Sequence, residues 1–280
     1  MITLNKQVVE FITFPNQEHR LDLDETLLNE HNKVLWKYEN DGSIFELLLL
    51  NSSMRQLDAT YDLVIAYMPY SRMDRVEKQS TAFSLKALSE LLLMQLTNTT
   101  SIKVFDPHSK VTLESLRNDV IPTKELEYSL ADDVLANVDL EKSWVVFPDK
   151  GAAARYNYEK YPNAIICDKT RDFATGRIID LVAHVHKHNG LLENQEECQF
   201  DVYIIDDLCS FGGTFVRAID ASLKVINSLP HETHLIVSHA EDSIHKGQVF
   251  EVFDKVTTTD SLLTNFDNQQ LTIKHLIDVI

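Results

Sequence analysis

Cysteine is scarce in this chain. The three present among 280 residues, Cys167, Cys198 and Cys209, are odd in number and unevenly spaced, which excludes a disulfide framework and suits a reducing compartment. No apolar run approaches the roughly 18 residues that a membrane span needs. The opening MITLNKQVVEF lacks a basic stretch followed by a long apolar segment, so no signal peptide is expected. Basic residues are also few: 26 Lys and Arg stand against 43 Asp and Glu, a formal net charge of −17. That balance argues against a nucleic-acid surface, and positive charge for any anionic ligand must be local. Linkers, low-complexity tracts and charge blocks are lacking too. These absences leave a cytoplasmic protein without nucleic-acid or membrane partners as the expectation.

What is present reads as an alternation. Short, nearly continuous apolar runs occur at YDLVIAYMP (61–69), SIKVFD (101–106), WVVFPD (144–149), NAIICD (163–168), DVYIIDD (201–207), HLIVSHA (234–240) and KVTTTD (255–260). Such runs fit strands covered on both faces. Helical patterns lie between several of them. In TFVRAIDASLKVINSLP the residues Val216, Ile219, Leu223 and Ile226 fall on one helix face, and Pro230 closes it; 81–98 has a similar pattern. Alternating strands and helices imply parallel sheets in an α/β fold. Residues 125–142 are the candidate seam, dividing the chain into 1–135 and 136–280. Asp106 with His108, Asp149, and the pair Asp206–Asp207 each follow an expected strand, where open α/β sheets bind ligands.

YIIDDLCSFGGTF (203–215) carries the strongest local signal. Gly-Gly-Thr between strand and helix offers backbone N–H groups to an anion. The two acids ahead of it cannot bind that anion; vicinal ribose hydroxyls or a hydrated Mg²⁺ are their natural partners. Together these features describe a ribose phosphate. The plainer alternative is a strand end and a tight turn with no ligand. Likewise, His108 reads equally as a capping histidine, Asp149 as a helix cap, and Arg72, Asp74, Lys169 and Arg171 as solvated charges.

The acid pair and GGT resemble the phosphoribosyl-pyrophosphate loop of type I phosphoribosyltransferases and of ribose-phosphate pyrophosphokinases. Other segments resemble the second family: YMPYSRMDR (67–75) is similar to its PYARQDR, FDPHS (105–109) to DLHA, and FPDKGAAAR (147–155) to SPD-x-GG-x-x-R. DKTR (168–171) matches D-K-x-R of its flexible loop, while IVSHA (236–240), TTTDS (257–261) and FPNQE (14–18) look like its THG, CDT and F-[SP]-D-G-E segments. The motifs run in family order over nearly the whole chain.

The resemblance implies two similar phosphoribosyltransferase-like α/β domains with mainly parallel sheets, and a homo-oligomer, dimer or hexamer. The first domain would take ATP and make oligomer contacts; the second would bind ribose phosphate and diphosphate. The reaction implied moves the β,γ-diphosphate of ATP to the C1 hydroxyl of a ribose 5-phosphate, releasing AMP. Arg72 and Asp74 would hold ATP, with Phe14, Asn16 and Glu18 from a neighbouring subunit. His108 and Asp149 would hold Mg²⁺ and through it the phosphates. Lys169 and Arg171 would act as a catalytic lid. Asp206 and Asp207 would face the ribose hydroxyls, with Ser210, Phe211, Gly212, Gly213 and Thr214 around the 5′-phosphate. Gly151 and Gly176 fall at further functional turns.

Departures from the family pattern concentrate at the substrate ends. Phe211 replaces the first threonine of D-D-x-x-x-T-G-G-T, Met73 replaces a glutamine, FPNQE lacks the Asp and Gly of its counterpart, and GAAAR has one glycine of two. Two readings of Phe211 stand open. Its ring packs into the core and ribose 5-phosphate is the acceptor, or it faces an acceptor whose 5′-phosphate carries more, such as ADP-ribose, the product then serving NAD resynthesis. A phosphoribosyltransferase and a silent regulatory homologue are the readings from other classes.

Overall fold

The computed structural model describes residues 1–76, 78–171, 178–191, 199–264 and 266–280. They form two compact units, 1–128 together with 275–280, and 129–274.

The first unit opens with β1 (Ile2–Leu4), β2 (Gln7–Val8) and the small hairpin of β3 (Ile12–Thr13) and β4 (His19–Arg20). Then follow β5 (Asn32–Trp36), α1 (Asp41–Gln56), β6 (Tyr61–Ile65), α2 (Ser84–Gln95), β7 (Thr99–Val104), α3 (Lys110–Ser115) and β8 (Thr123–Glu125). Among the described residues the main sheet runs β2-β1-β5-β6-β7-β8, antiparallel from β2 to β5 and parallel from β5 to β8. Val34, Trp36, Leu63, Ile65, Ile102 and Val104 are fully buried, with Leu47 and Leu50 of α1 and Leu85 and Leu92 of α2 packed on them. Leu276, from the last six residues, joins Leu35, Val64, Phe105 and Leu126.

The second unit holds α4 (Leu130–Leu135), β9 (Ser143–Phe147), α5 (Lys150–Arg155), β10 (Ala164–Arg171), β11 (Ile178–Lys187), β12 (Asp201–Cys209) and α6 (Gly213–Ile226). It ends with β13 (Thr233–Ala240), α7 (Val249–Val252), β14 (Lys255–Thr259) and β15 (Leu271–Lys274). Its sheet runs β11-β10-β9-β12-β13-β14-β15, parallel throughout except for the antiparallel edge pair β10–β11. The carboxyl ends of β9, β10 and β12 therefore lie along one edge of this sheet.

The α/β class with mainly parallel sheets agrees with the alternation read from sequence. The units divide after Tyr128 rather than after residue 135, because α4 packs on β13 and β14, and the C-terminal six residues return to the first unit. Helix α6 stops at Ile226, where Asn227 takes a left-handed conformation and donates its N–H to Leu223 O. Phe215, Ala218, Ile219 and Ile226 of α6 are buried in the core of this unit, where α6 packs on β9, β10 and β11. Ile219 is 1% exposed, so Ile219→Ala is expected to destabilise by about 2–5 kcal/mol in urea unfolding. A loss near zero would contradict this packing.

Candidate active site

Strand β12 continues through its two acids, as the apolar run YII demands burial on either side of them. Asp207 is buried and its Oδ1 lies 2.8 Å from Arg155 Nη1 at the last turn of α5. The backbone N–H of Asp207 donates to Asp206 Oδ1 at 3.0 Å. Burial, then the charges of Asp207 and Asp149, push the Asp206 carboxyl well above the usual carboxylate range, and Arg155 pulls the other way.

Past Cys209 the chain turns through Ser210, Phe211 and Gly212 into α6. Gly212 has φ +75, a conformation that glycine adopts without penalty. A Cβ there would meet Val249 Cγ2 at 2.0 Å, and one at Gly247 would meet the Phe211 carbonyl oxygen at 1.8 Å. The loop is thus seated on the 247–249 segment at contact distances that only glycines allow. No side chain caps α6, which leaves its first-turn amides at Gly213 and Thr214 for an anion. Phe211 is 58% exposed, and this corrects the reading in which its ring packs into the core: its backbone rests on Gly247 and the core cluster around α6 forms without it.

Asp149 caps α5. It accepts the Ala152 N–H at 2.9 Å through Oδ1 and pairs with Lys169 Nζ at 2.7 Å through Oδ2. Burial raises its pKa, but the hydrogen bonds from Lys169 and from the Ala152 amide outweigh that and hold it below its ordinary value. Lys169 lies in β10, not in a free polar loop, because Asp168, Lys169 and Thr170 pair with Val182, Leu181 and Asp180 of β11. Asp168 in turn pairs with Lys150 at 2.8 Å. Arg171 ends β10; its side chain, and Gly176, lie outside the described residues.

The first unit carries the remaining expected residues. Arg72 and Asp74 follow β6, and His108 follows β7. Ser109 Oγ donates to Asp74 Oδ2 at 2.8 Å, joining the two segments. Arg72 and Met73 are exposed, and Asp74 and His108 half-buried. Phe14, Asn16 and Glu18 form the exposed turn between β3 and β4, where Phe14 N–H donates to Glu18 O at 2.8 Å and Glu18 N–H to Asn16 Oδ1 at 3.3 Å.

Within the second unit the fold brings together Asp149, Lys169, Asp206, Asp207 and the 210–214 turn. Sequence reading assigned no role to Arg155, although the motif quoted around Asp149 contains it, nor to Ser109, Gly247 and Val249. Nothing in the local sequence marks Gly247 as the floor of a loop thirty-odd positions earlier. Among the described residues no three His, Cys, Asp or Glu side chains converge on a metal position. Asp149 is engaged by Lys169 and the Ala152 amide, so a cation bound there would compete with the lysine.

A parallel sheet with an acid pair and glycine turn at its carboxyl edge, and a second parallel-sheet unit beside it in the chain, define an α/β protein of the phosphoribosyltransferase-like class. No family model matches the chain. It is 26% identical over 263 residues to the ribose-phosphate pyrophosphokinase of Sulfolobus acidocaldarius, covering 87% of this chain and 82% of that one. It is 25% identical over 280 residues to the enzyme of that name from Sulfurisphaera tokodaii, covering 97% and 88%, and 30% over 192 residues to that of Thermococcus kodakarensis, covering 67% and 62%. The fold matches the crystal structure of phosphoribosylpyrophosphate synthetase from Mycobacterium smegmatis with TM-score 0.72 at 16% identity, over 96% of this chain and 86% of that one. Over most of its length the chain is thus similar to ribose-phosphate pyrophosphokinases.

The raised pKa of Asp206 has a stability consequence. As pH climbs from the unfolded value of about 4 towards the folded one, the folded chain keeps a proton that the unfolded chain releases, and stability falls. Asp149, with its lowered pKa, runs the other way: its contribution is present above the unfolded value and lost as pH falls through the folded one. Asp206→Asn is therefore expected to raise the urea midpoint at neutral pH more than at about pH 4. A lower midpoint at neutral pH would contradict the assignment.

Proposed function

We infer that this protein is an ATP-dependent diphosphotransferase that moves the β,γ-diphosphate of ATP to the C1 hydroxyl of a ribose 5-phosphate-type acceptor. The C1 oxygen attacks the β-phosphorus, the bond to the α-phosphate oxygen breaks, AMP leaves and the hydroxyl proton is released. The observation that carries this reading is the carboxyl edge of β9, β10 and β12, with Asp206–Asp207 next to the uncapped start of α6 and Lys169 on Asp149. Phosphoryl chemistry of this kind depends on alignment and charge neutralisation more than on covalent catalysis.

In this reading the acid pair takes the ribose 2- and 3-hydroxyls, while Ser210 to Thr214 and the first amides of α6 take the 5′-phosphate. Arg72, Asp74 and His108 of the first unit bind ATP, and Phe14, Asn16 and Glu18 reach the ATP of a neighbouring copy in a homo-oligomer. In the first unit His108, and in the second Asp149, would each be a ligand for Mg²⁺, which would supply charge neutralisation to the phosphates. Lys169, released from Asp149, and Arg171 stabilise the transferring group. Two buried free thiols, Cys167 and Cys209, fit a cytoplasmic setting, and no nucleic-acid partner follows from a charge of −17.

The exposed ring of Phe211 favours a second reading of the acceptor. A threonine hydroxyl expected at a phosphate monoester is replaced here by an aromatic surface open to solvent, suited to stacking on a base or sugar beyond the 5′-phosphate. ADP-ribose has the same C1 hydroxyl and such an extension, and its diphosphorylated product would feed NAD resynthesis.

AMP release from Mg-ATP, with the acceptor's mass followed, separates these outcomes. Gain of a diphosphate by ribose 5-phosphate alone identifies the relatives' acceptor; gain by ADP-ribose, with ribose 5-phosphate poor, identifies the second. No AMP with either sinks the transferase reading. Lys169→Ala is expected to lower kcat by about 10²–10³-fold, with unchanged turnover excluding its role. Phe211→Thr is expected to shift the kcat/KM ratio towards ribose 5-phosphate by about tenfold; an unchanged ratio would remove Phe211 from acceptor choice.

A further inference from the structure

Helix α5 has a functional group at each end. Asp149 caps its start, and Arg155, in its last turn, reaches Asp207 on β12 at 2.8 Å with side chains 21% and 7% exposed. This pair is more enclosed than Lys169–Asp149, at 12% and 39%, or Lys150–Asp168, at 73% and 45%. The Tyr156 ring, itself buried, lies 6.0 Å from the Arg155 guanidinium carbon. The arginine is therefore held by its helix, by an aromatic face and by a carboxylate at once.

Enclosure on this scale adds little net stability, because two charges have been taken out of water to make the pair. Its effect is geometric. A guanidinium is a planar cation, and the close ion pair of Nη1 with Oδ1 at 2.8 Å restrains where the carboxylate can sit. The amide of Asp207 also donates to Asp206 Oδ1, so the orientation of one acid is tied to the backbone of the other.

We propose that Arg155 is a positioning residue of the acceptor site, orienting the Asp207 carboxylate towards the sugar hydroxyls without touching the sugar. The inference rests on the reading of Asp206 and Asp207 given under Proposed function, and assigns to Arg155 the task of setting acceptor affinity rather than ATP affinity or the chemical step. Lysine in its place would keep the charge and lose the fork, restoring the site only in part.

The test is steady-state kinetics of wild type, Arg155→Met and Arg155→Lys, varying the acceptor and Mg-ATP separately, with thermal melts beside them. Arg155→Met is expected to raise the acceptor KM by about tenfold or more and to leave the KM for ATP within about twofold. Arg155→Lys is expected to fall between it and wild type. In an Asp207→Asn background, Arg155→Met is expected to add little further. Equal rises in both KM values, or a fall in kcat with the acceptor KM unchanged, would overturn the positioning role. If Arg155→Met does not fold, Arg155→Lys decides: an acceptor KM equal to that of wild type overturns the proposal. A wild type that uses neither ribose 5-phosphate nor ADP-ribose fails the functional reading itself, and this inference with it.

Discussion

Carboxylates gathered at the end of a buried strand repel one another and are poorly hydrated, and the second unit is organised around that constraint. Asp149, Asp206 and Asp207 share one sheet edge, and their charges act on Asp206 strongly enough, after burial, to keep its carboxyl well above the usual range. Lys169 takes up Asp149 and Arg155 takes up Asp207. The outcome is that Asp206, beside Asp207, is shifted towards its protonated form. A carboxyl that retains its proton donates one hydrogen bond, while an ionised one only accepts. Vicinal hydroxyls, each donor and acceptor, are suited to such a pair.

The other half of the site follows from backbone chemistry. With no side-chain cap, the start of α6 presents amides and the positive end of its dipole, and the turn leading to it is fixed by Gly212 and Gly247 against Val249 and Phe211. A chain with a net charge of −17 holds its anion-binding capacity in these fixed local elements, not in a basic surface. The same tight seat leaves Phe211 at the surface of the loop, and so the packing that shapes the phosphate turn also sets what an acceptor meets beyond it.

Much of this was legible in the order of residues. The nearly continuous apolar runs of β9, β12 and β13 marked buried parallel strands, and the spacing of Ile219 and Ile226 marked the buried face of α6. The acid pair, the glycines and Lys169 each announced a chemistry. Other features depended on contacts distant in sequence. β11 reads as HVHK over its last four residues, too polar to look like a strand, and forms through pairing with β10 at the sheet edge. That pairing turns the supposed lid lysine into a strand residue. Asp149 was expected as cap or metal ligand; the structure shows the cap and adds the lysine, which only tertiary placement supplies. Arg155 stood inside a quoted motif with its partner more than fifty positions away, and the return of Leu276 to the first unit has no local signal at all.

The central claim is that the β12 end and the start of α6 bind the phosphorylated sugar. Hydrogen-exchange mass spectrometry with acceptor alone, without ATP, tests it directly, using ribose 5-phosphate in one series and ADP-ribose in another. The account predicts slowed exchange in peptides covering 206–216 with at least one of them. Unchanged exchange there with both, or protection confined to the first unit, would contradict it.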